Sequence, residues 1–226
     1  MIPSRPAQHV FLAFTNPVAE RDVAFNAWYD DAHVPQLLRY GRGFAGGRRY
    51  RLQSSEGAGD VRPWNYLALY VLENDDPASL SEGWLIDGAP RLTPFSGLLH
   101  DDHAGWIYTP TTPRLTRDPG RDVSSPYSAG YLSLDWSRET HPNFARHLQD
   151  SLTNTQICEA ATAFVLADGQ RANQLASPWG GLVIRELRTL EGGVPLACDA
   201  RWCFAGLRPY VSREQVVGSR FAGDSR

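Results

Sequence analysis

The chain has 226 residues, 42% of them apolar and 11% aromatic, with 22 cationic and 25 anionic side chains for a formal net charge of −3. Every cation is an arginine, which excludes a Schiff-base lysine, an internal pyridoxal aldimine and a P-loop lysine, and the near-neutral balance argues against a nucleic-acid binder that works by neutralising phosphates. No apolar run approaches the ~20 residues that span a bilayer, residues 1–6 lack the apolar stretch of a secretory signal, and Cys158, Cys198 and Cys203 are odd in number and without metal-ligand spacing, so a cytoplasmic protein with no membrane partner is expected.

Residues 9–15 form a short apolar run suited to a strand buried on both faces. Asn16 is placed to cap a helix that starts at Pro17 and runs to about Tyr40, with Gly41 and Gly43 as stop signals. Residues 44–52 and 64–73 read as two strands joined by a Gly/Ser-rich turn. A looser stretch over 76–99 is expected to hold a second helix, and 104–109 a last strand. Residues 109–126, with Pro110, Pro113, Pro119 and Pro126, have no periodicity and read as a linker. Beyond it, 129–136, 160–167, 181–189 and 201–207 look like strands and 140–152 like an amphipathic helix. The matching second helix is not legible between Leu190 and Ala200, where Gly192, Gly193 and Pro195 break the pattern. The order β-α-β-β-α-β in residues 1–110, repeated in degenerate form in 127–226 around a linker at 111–126, predicts an α+β protein of two tandem ferredoxin-like halves.

The segment Phe25-Asn26-Ala27-Trp28-Tyr29-Asp30-Asp31-Ala32-His33-Val34-Pro35 carries the chemistry. On a helix Phe25, Tyr29 and His33 are four residues apart and share a face, with Trp28 beside them. A buried imidazole needs a partner, and Asp30, three residues earlier, is placed to orient the His33 ring. Pro35 is expected to kink the helix where His33 emerges. His33 as acid or base, Asp30 as its orienter and Tyr29 as a hydrogen-bond donor make a catalytic set. A core histidine bonded to backbone among sheet-facing aromatics is the competing reading.

Arg49 alternates with Arg48 along a strand and, if it faces a cavity, can fork onto a substrate anion. A solvent-facing or salt-bridged arginine fits the same pattern. Tyr66 and Tyr70 share one strand face and, with Trp28, are candidates to line an aromatic-binding pocket, although packing accounts for them equally well. In His100-Asp101-Asp102-His103, four consecutive side chains do not converge, so no metal is expected there. His100 and His103 are candidates to border a cavity. His141 and His147 do not share a helical face, and the cysteines have no adjacent base in the sequence.

The run FNAWYDDAHVPQLL, followed by GFAGGRRYRL and WNYLALYVLE, resembles the dimeric α/β-barrel superfamily, with the nearer likeness to its EthD-type members. Trp28, Tyr29, Asp30, His33, Pro35, Gly43, Phe44, Arg49 and Tyr50 match that pattern in order, over about residues 9–75. The second half departs from it, with Phe144-Ala145-Arg146-His147 standing where the aromatic–histidine motif would fall. The resemblance implies two ferredoxin-like sheets joined face to face as a barrel within one chain, with a cavity between sheet and helices. Its members include isomerases, cyclases, lyases, small monooxygenases and heme proteins. The function expected is a cofactor-independent lyase or isomerase that uses His33 to move protons on a small apolar, aromatic or polyketide-like molecule. A cofactor-free or heme-linked monooxygenase and a non-catalytic small-molecule-binding barrel are the alternatives, and a homodimer is compatible with each.

Overall fold

The structure, a computed structural model, describes residues 8–57, 63–73, 92–93, 97–117, 126–139, 148, 152, 157–167, 177–191 and 198–218. The first half supplies β1 (Gln8–Thr15), β2 (Phe44–Gly57), β3 (Tyr66–Glu73) and β4 (Ala104–Pro110). It is followed by β5 (Leu115–Thr116), β6 (Tyr131–Ser137), β7 (Cys158–Leu166), β8 (Gly181–Leu187), β9 (Ala200–Gly206) and β10 (Val211–Ser212). The helices bounded within the described residues are α1 (Asp22–Trp28), a π-helical turn (Tyr29–His33), α2 (Val34–Tyr40) and α3 (Arg213–Gly218).

Neighbouring strands pair antiparallel in the order β2-β3-β1-β4-β7-β8-β6-β9, and β9 pairs back onto β2, closing an eight-stranded barrel. One seam is short, with Tyr108, Thr109 and Pro110 of β4 opposite Leu166, Val165 and Phe164 of β7. The other is long, from Tyr50 opposite Gly206 to Gly57 opposite Ala200. Two short strands lie outside the ring. β5 follows the last strand of the first half and pairs with β7, while β10 follows β9 and pairs with β2. Each half is thus tied to the other by the chain that leaves it, and residues 115–116 of the expected linker are part of the sheet.

The expectation of an α+β protein built from two tandem ferredoxin-like halves is corrected. What forms is one mostly-β closed barrel, because the edges that a separate four-stranded sheet would expose are hydrogen-bonded to the other half. The internal repeat appears as strand order, β2-β3-β1-β4 and then β7-β8-β6-β9. The expected second helix at 76–99 and the helix at 140–152 fall largely outside the described residues, as do His141 and His147. Asn16 does not cap a helix; its Oδ1 accepts the Asn65 N–H at 2.9 Å, Pro17 bridges to Leu99, and α1 begins only at Asp22. No described helix is long and apolar enough to cross a membrane.

Strand alternation sends one row of side chains inward and the next outward. The inward row fills the barrel with rings. Phe14 has Trp64, Trp106, Trp136, Trp202 and Phe204 around it at centroid distances of 5.1–6.4 Å, and Leu67, Leu69, Leu132, Leu134 and Ile184 complete the layer. The outward row of β3, namely Tyr66, Ala68, Tyr70 and Leu72, packs instead under Phe25, Tyr29 and Leu38 of the helical layer. On the other side Leu148 and Leu152 cover Ala161, Ala163, Val183 and Leu187. The barrel is a packed core, and the helical layer packs on one face of its outer wall.

Candidate functional site

Pro35 has no N–H to give the Asp31 carbonyl, so a regular helix cannot pass through it. The chain inserts a π-turn, in which the Val34 N–H reaches the Tyr29 carbonyl five residues back, and α2 restarts with the proline in its first turn. The expected kink is therefore a bulge, and it covers the five residues Tyr29–His33. Phe25 and Tyr29 are buried, and Trp28, Asp30 and His33 are half-buried.

The His33 ring stacks on Trp28 at 4.7 Å and meets the edge of Tyr29 at 4.8 Å. Burial, and secondly the positive charge of Arg49, lower its pKa to about 4. The imidazole is consequently neutral near pH 7. Its Nδ1 is enclosed and has no hydrogen-bond partner.

Beneath the helix, β2 presents Arg49, which is only 2% exposed. Its guanidinium lies 4.2 Å from the Tyr29 ring centroid and 5.3 Å and 5.4 Å from those of Phe25 and Tyr66. One Nη donates to Asp30 Oδ1 and the other to Asn26 Oδ1, both at 2.8 Å. Asn26 in turn donates to the Tyr66 hydroxyl at 3.1 Å, and Tyr66 donates to Asp22 at 2.8 Å. The Arg49 Nε is buried without a partner. The Tyr70 phenol, fully buried, interacts with that of Tyr29, but its oxygen has no hydrogen bond of proper geometry. Burial pushes both phenols above their usual range, so they remain protonated donors.

The structure thus brings His33, Tyr29, Trp28, Arg49, Tyr66 and Tyr70 into one layer. It gives Asp30 a different task from the one expected. Asp30 holds Arg49 and, through Oδ2, Arg208 at 3.2 Å, rather than the His33 ring. His100 and His103 lie on an exposed turn before β4, where His100 Nδ1 accepts the Asp102 N–H at 3.0 Å. No described hydrogen bond or ring contact joins them to the layer. Nor do three or more His, Cys, Asp or Glu side chains converge as metal ligands among the described residues.

Asn26, Asp22 and Arg208 were missed by sequence reasoning. Asn26 was findable, since it stands four residues before Asp30 on the same helical face. Arg208 had no local signal, being 178 residues from Asp30. The second half has a different arrangement on its outer wall, where Asp135 sits between Arg185 at 2.7 Å and Arg201 at 2.6 Å.

The lowered His33 pKa has a consequence for stability. A histidine depressed by folding contributes stability above its ordinary value of about 6.5, and that contribution is lost as pH falls toward about 4, where the folded protein finally takes the proton. Urea unfolding measured from pH 7 to pH 4 should show wild type losing stability over this window. His33→Ala should lack that part of the loss. Identical pH profiles for the two proteins would mean that the ring is not enclosed as described.

No protein-family model matches the chain, and no curated protein matches its sequence. Solved structures do match. An anthrone oxidase-like protein superposes over 97% of both chains with a TM-score of 0.60 at 11% identity. A candidate monooxygenase from Fusobacterium nucleatum subsp. nucleatum covers 92% of this chain and 95% of its own, with a TM-score of 0.52 at 7% identity. Another, from Lactobacillus acidophilus, covers 92% and 97%, with a TM-score of 0.50 at 7% identity. At these identities the likeness establishes the fold. It also corrects two expectations. Over 92–97% of its length the chain has the fold of these structures, in place of a tandem EthD-type arrangement. The lyase or isomerase reading likewise has no counterpart among these neighbours, whose names are oxidase-like and monooxygenase.

Proposed function

We propose that the protein is a cofactor-free monooxygenase that oxidises a phenolic aromatic carbon acid, such as an anthrone, directly with O2. The observation that carries this reading is the trio of enclosed, unpartnered polar atoms on one aromatic layer, His33 Nδ1, Tyr70 Oη and Arg49 Nε. Buried polar groups are seldom left unsatisfied. Here they are a neutral imidazole, a phenol donor and a fixed cation, the set needed to remove a proton and stabilise the oxyanion that results. The names of the structural neighbours point the same way.

His33, in the tautomer protonated on Nε2, takes a proton from the acidic ring carbon through Nδ1. The negative charge that spreads onto the substrate oxygen is met by Arg49 and by the Tyr70 hydroxyl, while Trp28 and Tyr29 hold the imidazole ring. The substrate anion, rich in electrons, reduces O2 and forms a carbon–oxygen bond. Loss of water from the resulting peroxide leaves a ketone. One oxygen atom stays in the product, and the other departs as water with both hydrogens of the oxidised carbon.

Oxygen uptake with an anthrone, corrected for its spontaneous oxidation, tests this. One O2 should be consumed per anthrone, and one atom of 18O2 should appear in the product. His33→Ala should lower the rate about 10²–10⁴-fold, and the acid limb of the wild-type kcat/KM profile should lie near pH 4, where His33 takes its proton. Uptake no faster than the buffer blank, or full activity in His33→Ala, would sink the proposal.

A further inference from the structure

The C-terminal segment crosses the outer wall beside this layer. β10 pairs with Gly46 and Gly47 of β2, and α3 lies against α2, where Arg39 donates to the Val216 carbonyl. Between this strap and the π-turn runs a groove of about 380 Å³, bordered among others by Asp30, Val34, Gly47, Arg49, Arg208 and Gln215. Its floor is bare for a reason. A Cβ on Gly47 would stand 2.6 Å from the Tyr70 ring.

The wall around the groove carries more positive charge than the groove's carboxylates balance. Arg49 and Arg208 share a single carboxylate, one on each oxygen of Asp30. A third arginine, Arg48, also borders the groove, but strand alternation turns its guanidinium to the other face of β2, over the Tyr50 ring. It is held by the carbonyls of Ala129, Arg208 and Tyr127 at 2.6, 2.7 and 3.3 Å, and these leave its charge uncancelled. Arg49 and Arg208 therefore stand beside Asp30 and the exposed Asp31, with the uncancelled charge of Arg48 behind the strand. The Arg49 Nε is enclosed and unpartnered within the same wall. Arg208 is 65% exposed, and its contact with Asp30 is the longer of the two, so exchanging that contact for another carboxylate costs little.

We propose that this groove is an anion subsite, in which a carboxylate carried by an aromatic substrate draws Arg208 away from Asp30 and is gripped by its planar fork. Arg208 then acts as a specificity-determining residue that favours aromatic carboxylates over their neutral analogues. The inference rests on the monooxygenase reading for the ring that occupies the adjoining layer, and on its own geometry for the charge.

The test is an NMR titration of the whole protein with sodium benzoate and, separately, with benzyl alcohol. The backbone amides of Gly47 and Val211 and the Nε–H signals of Arg49 and Arg208 report on the groove. Benzoate should shift these signals saturably and benzyl alcohol should not. Arg208→Gln should weaken benzoate about tenfold or more. His33→Ala should still bind benzoate although its oxygen consumption is lowered about 10²–10⁴-fold. Equal shifts from the two compounds, or an unchanged benzoate affinity in Arg208→Gln, would overturn the subsite. Benzoate binding in a protein that does not oxidise an anthrone would leave the subsite standing and remove the monooxygenase reading instead.

Discussion

Replacing Arg49 with Gln should cost both stability and turnover, and the two losses have separate causes. Arg49 is buried at 2% exposure and pairs with Asp30, whose side chain is 13% exposed. Removing one member of such a pair strands the other, an effect of about 3–5 kcal/mol in buried pairs. The upper end is not expected here, because Asp30 keeps Arg208. Asn26 Oδ1 also loses its donor, and the rings of Tyr29, Phe25 and Tyr66 lose the cation they enclose. Turnover should fall about 10²–10³-fold, as when a donor is removed from a developing oxyanion. Arg49→Lys separates the causes. An ammonium keeps the charge but cannot reach Asp30 and Asn26 as a fork, so it should recover part of the stability and little of the rate. Urea unfolding and oxygen uptake on the same three proteins decide the matter. If Arg49→Gln keeps its stability to within about 1 kcal/mol and turns over normally, the ion pair is incidental to the site.

The layer around Arg49 also shows where sequence reasoning reaches and where it stops. That Phe25, Tyr29 and His33 share a face follows from helical spacing, and that Tyr66 and Tyr70 share one follows from strand alternation. Both relations are local, and the structure places all five residues together. The partner of Asp30 is not local. Proximity in sequence favoured His33, three residues away, whereas the carboxylate goes to Arg49 and Arg208, which lie 19 and 178 residues distant. A charge pair in a buried layer is chosen by which strand passes beneath the helix, and no periodicity records that.

The same limit governs the fold. The strands are legible because apolar runs bounded by glycine and proline are local signals. Closure is not legible. The seam between β2 and β9 joins residues about 150 positions apart, and it is made by backbone groups that every residue except proline carries. β5 and β10 are two residues long each, too short for any alternation to show. A proline-rich segment that reads as a linker can therefore contribute a strand. The π-turn was half legible. Pro35 demands an interruption, but whether the chain kinks or bulges depends on the packing of Tyr29 and His33 against the wall below.

Closure has an energetic consequence that a single substitution exposes. Phe14→Ala should destabilise the protein by about 3–5 kcal/mol, the range for removing a large buried ring. Phe14 is fully buried at the centre of the barrel, and the rings it touches belong to β4, β6 and β9 and to the segment before β3. Its contacts therefore join the two halves of the chain. If the halves were independent units, truncating a residue of β1 would weaken the first and spare the second. In a single barrel it must loosen both. Tryptophan fluorescence reports on this directly, because Trp64 and Trp106 come from the first half and Trp136, Trp179 and Trp202 from the second, all in one cluster. Fluorescence and far-UV circular dichroism should give one coincident urea transition in wild type and in Phe14→Ala, shifted to lower urea in the variant. The pH dependence assigned to His33 should persist in the folded variant, since the Phe14 ring lies inside the barrel and His33 outside its wall. Two separated transitions, with only one of them moved by the substitution, would show that each half folds alone and that the seams between them are surface contacts.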